Sequence, residues 1–146
     1  MADLFADLVR VETRLFNALD ATLRERHAIP LGSFEFLRFI RDRGSVRVAD
    51  LAVEFAIGVG ATSKGIDRME AKGWIERIPN PANRRSSLIV LTDVGAQLLR
   101  VALPTFRSEL SRLTANLDAP ALQALADALG TLRRGLEGEQ IGQPAG

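Results

Sequence analysis

Residues 60–77, Gly60-Ala61-Thr62-Ser63-Lys64-Gly65-Ile66-Asp67-Arg68-Met69-Glu70-Ala71-Lys72-Gly73-Trp74-Ile75-Glu76-Arg77, decide the fold. The first part predicts a helix over about 61–72. Ile66 and Met69 share one face, while Lys64, Arg68 and Lys72, four apart, share an outward stripe. Gly73 ends the helix, because glycine takes the left-handed conformation past a last turn without steric cost. The period then switches from 3.6 to 2. Trp74-Ile75-Glu76-Arg77-Ile78 alternates as a strand, and Ser87-Leu88-Ile89-Val90-Leu91 reads as a second. Turn formers fill Pro79 to Ser86 between them. The result is a helix followed by a hairpin with a long polar tip.

Upstream, residues 48–55 form a short helix, and Ala56-Ile57-Gly58-Val59-Gly60 is a glycine-rich turn. Together with the helix 61–72 they make a helix-turn-helix. Residues 33–43 predict another amphipathic helix, with Ser33 as N-cap and Gly44 closing it. Phe34, Phe36, Leu37 and Ile40 face inward there, and Arg38, Arg41 and Arg43 face out. Residues 3–27 read as one long helix stopped by Pro30. Downstream, Thr92 caps a helix over 93–115 that Pro104 should kink, and Asp118 caps a last helix over 119–136. The expected fold is mainly α with a small β-hairpin wing. A winged helix-turn-helix over 31–100 is flanked by an N-terminal dimerisation helix (1–30) and C-terminal dimerisation helices (101–137), and 138–146 read as a disordered tail.

Composition removes several functions. The chain of 146 residues has no cysteine and one histidine, His27. Thiol chemistry, zinc ribbons and iron–sulfur clusters are excluded, and a histidine metal site or a serine–histidine triad has too few parts. No carboxylates pair at a shared site, no nucleophile has a base, and Gly58-Val59-Gly60 follows a helix where a dinucleotide fingerprint follows a strand. No enzyme, cofactor or metal is expected. No apolar run approaches the roughly 20 residues of a membrane span, and the acidic start differs from a secretory signal, so a cytoplasmic protein is expected. Net charge is only +1, but it is uneven: residues 31–100 hold 11 Lys/Arg against 8 Asp/Glu, and the two ends together hold 8 against 10.

The candidate DNA contacts lie in that basic middle. A helix-turn-helix lays its second helix in the major groove, N-terminal residues on base edges. Gly60 and Ala61 permit close backbone approach, Thr62 and Ser63 offer hydroxyls, and Lys64 and Arg68 offer charge. Arg84 and Arg85, on the hairpin tip beside Asn83, suit a narrow minor groove.

At this point the residues resemble a family. Residues 60–77 resemble the recognition helix and first wing strand of MarR-type regulators. Ile78-Pro79-Asn80-Pro81-Ala82-Asn83-Arg84-Arg85 and Leu88-Ile89-Val90-Leu91-Thr92-Asp93-Val94-Gly95 look like that family's wing and the start of its next helix. The resemblance implies a homodimer whose terminal helices interlock and whose wings reach the minor groove. In the family's wing motif, Asp-x-Arg, the aspartate sets the arginine. Arg85 matches the arginine, and Asn83 stands where the aspartate is expected, able to accept a hydrogen bond but without charge. The resemblance also implies a repressor released by a small aromatic or phenolic effector held between the dimer helices and the winged domain. The family's thiol-oxidation switch is excluded for want of cysteine.

The ends carry apolar stripes at Leu4, Leu8, Val11 and Leu15 and at Leu122, Leu125, Leu129 and Leu132, in heptad-like spacing. Two helices with several apolar flanks cannot cover one another, so these eight residues are expected at a dimer interface, which sets two recognition helices about one DNA turn apart on a pseudo-palindromic operator. Arg10, Arg14 and His27 are the candidate effector residues. The competing reading is a winged-helix protein-interaction module that has lost sequence-specific DNA binding.

Overall fold

The computed structural model describes residues 1–144. Eight elements follow in the expected order: α1 (Ala2–His27), α2 (Leu31–Arg43), α3 (Val48–Glu54), α4 (Val59–Ala71), β1 (Ile75–Pro79), β2 (Ser87–Leu91), α5 (Asp93–Leu113) and α6 (Ala119–Gly138). No helix among the described residues is long and apolar enough to cross a membrane.

The core lies where α2, α3, α4 and the hairpin close on α5. Phe34, Leu37 and Ile40 of α2, Leu51 of α3, Ile66 and Met69 of α4, Ile75 and Ile89 of the strands and Leu99 of α5 are buried, joined by Leu19 and Leu23 of α1. Each such side chain contributes about 1.5–3 kcal/mol. Phe34 meets Phe106 with ring centroids 4.9 Å apart, tying α2 to α5.

Several boundaries differ from the sequence reading, each for a tertiary reason. The second helix starts at Leu31, not after Ser33. Pro30 is its N-cap, and the free Leu31 amide donates to Asp20 Oδ1 of α1 at 2.8 Å. The cap is supplied from another helix instead of by Ser33. α1 ends on Ala28 in the left-handed region (φ 53°), whose N–H returns to the Arg24 carbonyl. α4 begins at Val59, two residues before the expected start, with Gly58 as N-cap. α5 keeps Pro104 inside one continuous helix, as expected, but ends at Leu113, two residues early.

Arg38 does not stay outside. Its guanidinium lies 5.9 Å from the Phe34 ring and 5.5 Å from the Phe106 ring, and Nη1 donates to Glu35 at 2.9 Å. The amphipathic pattern placed its charge correctly but not its stem, which covers aromatic surface.

β1 and β2 pair antiparallel with Ile75 opposite Leu91 and Pro79 opposite Ser87. The hairpin gains a third partner that no periodicity announces: Val46 and Ile89 exchange backbone hydrogen bonds of 3.1 and 2.7 Å. At the hairpin's base, Thr92 Oγ1 donates to the Gly73 carbonyl at 2.5 Å and accepts from the Gly95 amide at 3.1 Å. A Cβ on Gly95 would stand 1.9 Å from the Trp74 carbonyl oxygen, so only glycine lets α5 leave this corner.

At the other end, α6 buries none of its residues. Leu125, Leu129 and Leu132 are 42–53% exposed, as are Leu4, Leu8 and Val11 of α1 at 40–64%. Leu15 and Leu122 are half-buried. Past Gly138 the chain turns, with the Ile141 amide on the Leu136 carbonyl at 2.9 Å. Ala145 and Gly146, the end of the tail expected over 138–146, lie outside the described residues.

Candidate nucleic-acid interface

The helix pair α3–α4 and the hairpin carry the candidate contacts. α4 turns Ile66 and Met69 into the core and leaves Gly60, Ala61, Lys64 and Arg68 exposed, with Ser63 half-buried in its first turns. Apart from its neighbours in α4, nothing among the described residues lies within 4 Å of a Cβ built on Gly60, so the space before it is open to a ligand. The backbone amides of this first turn add the partial positive charge of a helix N-terminus.

Thr62 leaves this set. It is 1% exposed, and its hydroxyl donates to the Gly58 carbonyl at 3.1 Å. The reason is local. A threonine four residues past an orphan carbonyl can bond back to it, and the sequence pattern cannot say which way the hydroxyl turns.

A residue the sequence reading passed over organises the charge. Arg77, on β1, donates Nη2 to Asp67 at 2.6 Å and Nη1 to Glu70, both on α4. Its backbone amide also reaches Glu70, at 3.3 Å. Partial burial draws the Arg77 pKa down, but the two carboxylates outweigh it and hold the pKa above its ordinary value. The clamp offsets one of the two carboxylate charges of α4 and ties the wing to the recognition helix. Lys64 and Arg68 of α4 and Lys72 just past it form no salt bridge among the described residues, and with Arg77 these four cations outnumber the two carboxylates, so this surface is net positive. The only trace of this in the sequence is an arginine at an outward strand position beside a helix with surplus carboxylates.

The wing tip is built from side-chain-to-backbone bonds. Asn80 is buried, accepts from the Ala82 amide at 3.0 Å and donates to Ser86 Oγ at 2.9 Å. Asn83 Oδ1 accepts from the Arg85 amide at 3.0 Å, an Asx turn that asparagine makes as well as aspartate. The acceptor role expected at position 83 is therefore filled without charge. Arg84 and Arg85 are exposed and form no salt bridge among the described residues.

The three candidate effector residues are not brought together. Arg10 is exposed and 3.7 Å from Asp7, and Arg14 is exposed on the same end of α1. His27 lies about 20 Å further along the helix from Arg14, at 1.5 Å per residue. Its Nε2 is 2.7 Å from Thr105 Oγ1, a bond that joins α1 to α5. A different cleft, of about 610 Å³, opens where α1, α2 and α4 meet. Phe16, Phe36, Ile57 and Met69 give it apolar walls, and Asp20, Arg24 and Arg68 give it charge. Arg24 is bonded to Asp20 at 2.6 Å, whereas Arg68 comes from the exposed face of α4. Sequence reasoning missed this cleft because its three walls are far apart in the chain.

A helix-turn-helix with an exposed basic recognition helix, clamped to a hairpin ending in two free arginines, defines a winged helix-turn-helix DNA-binding domain. The comparisons agree with the geometry. The MarR family model matches residues 29–87. The chain is 31% identical over 103 residues to the multiple antibiotic resistance protein MarR of Salmonella typhimurium, spanning 66% of this chain and 72% of that one. Its fold superposes with a TM-score of 0.82 on a mutant MarR from E. coli solved in complex with operator DNA, at 27% identity, covering 89% of this chain and 93% of the other. A MarR family regulator from Streptomyces coelicolor, solved in complex with DNA, shares the fold alone, with a TM-score of 0.85 at 22% identity over 97% and 90% of the two chains. This chain belongs to the MarR family and is a DNA-binding transcriptional regulator, not an enzyme.

Proposed function

We propose that the protein is a homodimeric repressor that holds a pseudo-palindromic operator and releases it when a small aromatic anion enters the cleft between α1, α2 and α4. The observation that carries the dimer is the uncovered apolar surface of α1 and of an α6 that buries nothing. A second copy supplies the matching surface, and its two-fold axis converts one recognition helix into a pair. Gly60, Ala61, Ser63, Lys64 and Arg68 enter the major groove, and Arg84 and Arg85 enter the minor groove beside it.

The cleft suits the effector because Arg24 and Arg68 flank aromatic walls, a combination that takes a carboxylate or phenolate on a flat apolar body. Arg68 belongs to both the cleft and the recognition helix, so an anion drawing on it competes with DNA. A coupling of about 1–3 kcal/mol, roughly 5–150-fold in affinity, is enough for release.

Fluorescence anisotropy on DNA from upstream of the protein's own gene, with scrambled competitor and two salt concentrations, tests the reading. Competitor-resistant binding is expected. Arg84→Ala/Arg85→Ala should weaken it and flatten the slope of log affinity against log salt by about 1–2. Binding without sequence preference, or affinity unmoved by the double substitution, would point to a protein-interaction module instead.

A further inference from the structure

Of the 19 lysines and arginines in the chain only Lys64 and Lys72 are lysines, and both belong to one element. Lys64 lies in the second turn of α4, and Lys72 is its C-cap. The other basic side chains of this count are arginines, whose guanidinium stays protonated and offers no lone pair. The chain has no cysteine. Every side chain able to form a lasting amide or thioester with an activated acyl group therefore lies on the recognition helix.

Both amines are open to reagents. Each lysine is exposed, and neither forms a salt bridge among the described residues. Asp67 stands three residues from Lys64, the spacing of a helical ion pair, but Arg77 holds it at 2.6 Å and also binds Glu70. Lys64 and Arg68, four apart, are neighbours on the exposed face, close to the backbone amides of the first turn. An acyl phosphate suits that surface. It is an anion, which Arg68 and the amides draw in, and its carbonyl carbon carries a good leaving group beside the Lys64 amine. Lys72 is about 12 Å further along the axis, at the end where the helix carbonyls repel an anion.

We propose that Lys64 is an acylation site, modified by acyl phosphates, and that the modification loosens the protein's hold on DNA. The unprotonated Nζ attacks the acyl carbonyl carbon. The carbon–oxygen bond to phosphate breaks, its electron pair leaves on the phosphate, and the Nζ proton passes to water. A neutral amide replaces a cation. The effect on DNA rests on the reading that places α4 in the major groove; the modification itself does not.

The test treats the full-length protein with acetyl phosphate, maps the modified peptides by mass, and measures anisotropy on DNA from upstream of the protein's own gene. Acetylation is expected at Lys64 ahead of Lys72. Affinity should fall by about tenfold or more, the scale of a lost charge-assisted contact. The slope of log affinity against log salt should flatten by about 1 for each modified subunit. Lys72→Arg should respond to the reagent as the unsubstituted protein does. Lys64→Arg, charged but inert, should hold most of its own untreated affinity. Acetylation that spares Lys64, or reaches it no faster than Lys72, would overturn the site. An equal loss in the Lys64→Arg protein, or full acetylation of Lys64 with affinity unmoved, would overturn its effect on DNA. If the untreated protein binds no DNA, the groove reading falls, and with it the effect on DNA, while the mass map still decides the site.

Discussion

Gly95 shows how far one missing methyl group reaches. The Trp74 carbonyl occupies the place of its side chain, and both atoms in conflict are backbone. Gly95→Ala should cost about 3 kcal/mol or more, at the upper end of overpacking effects, read as a lower midpoint in urea unfolding. Arg77 acts through charge rather than space. Arg77→Met keeps the stem but releases Asp67 and Glu70 beside the groove-facing helix. Operator affinity should fall by about threefold to thirtyfold through the uncovered carboxylates, and added salt should narrow the gap because the repulsion is screened. Asp20 ties a stability to pH. Burial raises its pKa, but the Leu31 amide and Arg24 together outweigh that and hold it below the ordinary 3.8. A carboxylate lowered in the folded state contributes stability above its unfolded pKa and loses it as pH falls through the folded one. Asp20→Asn should therefore be less stable near neutrality, and its stability should fall less steeply below about pH 4, in urea titrations at stepped pH.

At the scale of elements, the order of six helices and two strands could be read from period and punctuation alone. Ile66 and Met69 at helical spacing, Gly73, and the alternation from Trp74 to Ile78 each agreed with the others, and such agreement is what a foldable sequence provides. What escaped was whatever a distant partner decides. The α2 cap comes from Asp20, eleven residues back in another helix, so Ser33 was a reasonable but wrong choice. Val46 forms a one-residue bridge, too short to show a period. Thr62 and Arg38 were placed on the correct helices, but the direction of a hydroxyl or the resting place of a long stem is set by packing. The exposed basic residues of the candidate DNA surface were legible because no carboxylate among the described residues pairs with them. The cleft between α1, α2 and α4 was not, because no single segment encodes it. Ala28 gives a test at this scale. It sits at φ 53°, where a Cβ is strained, so Ala28→Gly should raise stability by about 1 kcal/mol in the same unfolding assay.

For the whole molecule, the unmatched surfaces sort by kind. Positive charge is left over on α4 and the wing, and apolar surface is left over on α1 and α6. Leu125→Asp/Leu132→Asp places charge on the second without touching the buried core. Light scattering after gel filtration should show the mass halving, from dimer to monomer, with the far-ultraviolet helix signal largely kept. Operator affinity should fall by far more than two exposed leucines could cause through direct contact, because one half-site is lost.

The unbroken run of α5 through Pro104 has a mechanical consequence. Its 21 residues make a rod about 30 Å long. One end is locked to the hairpin base by Gly95 and Thr92, and the other lies among the terminal helices. A tilt of about 5° at the far end moves the near end by about 3 Å, close to the rise of one base pair. In the proposed dimer, a small change in how the two copies lean on each other would thus be geared up into a whole step of groove register.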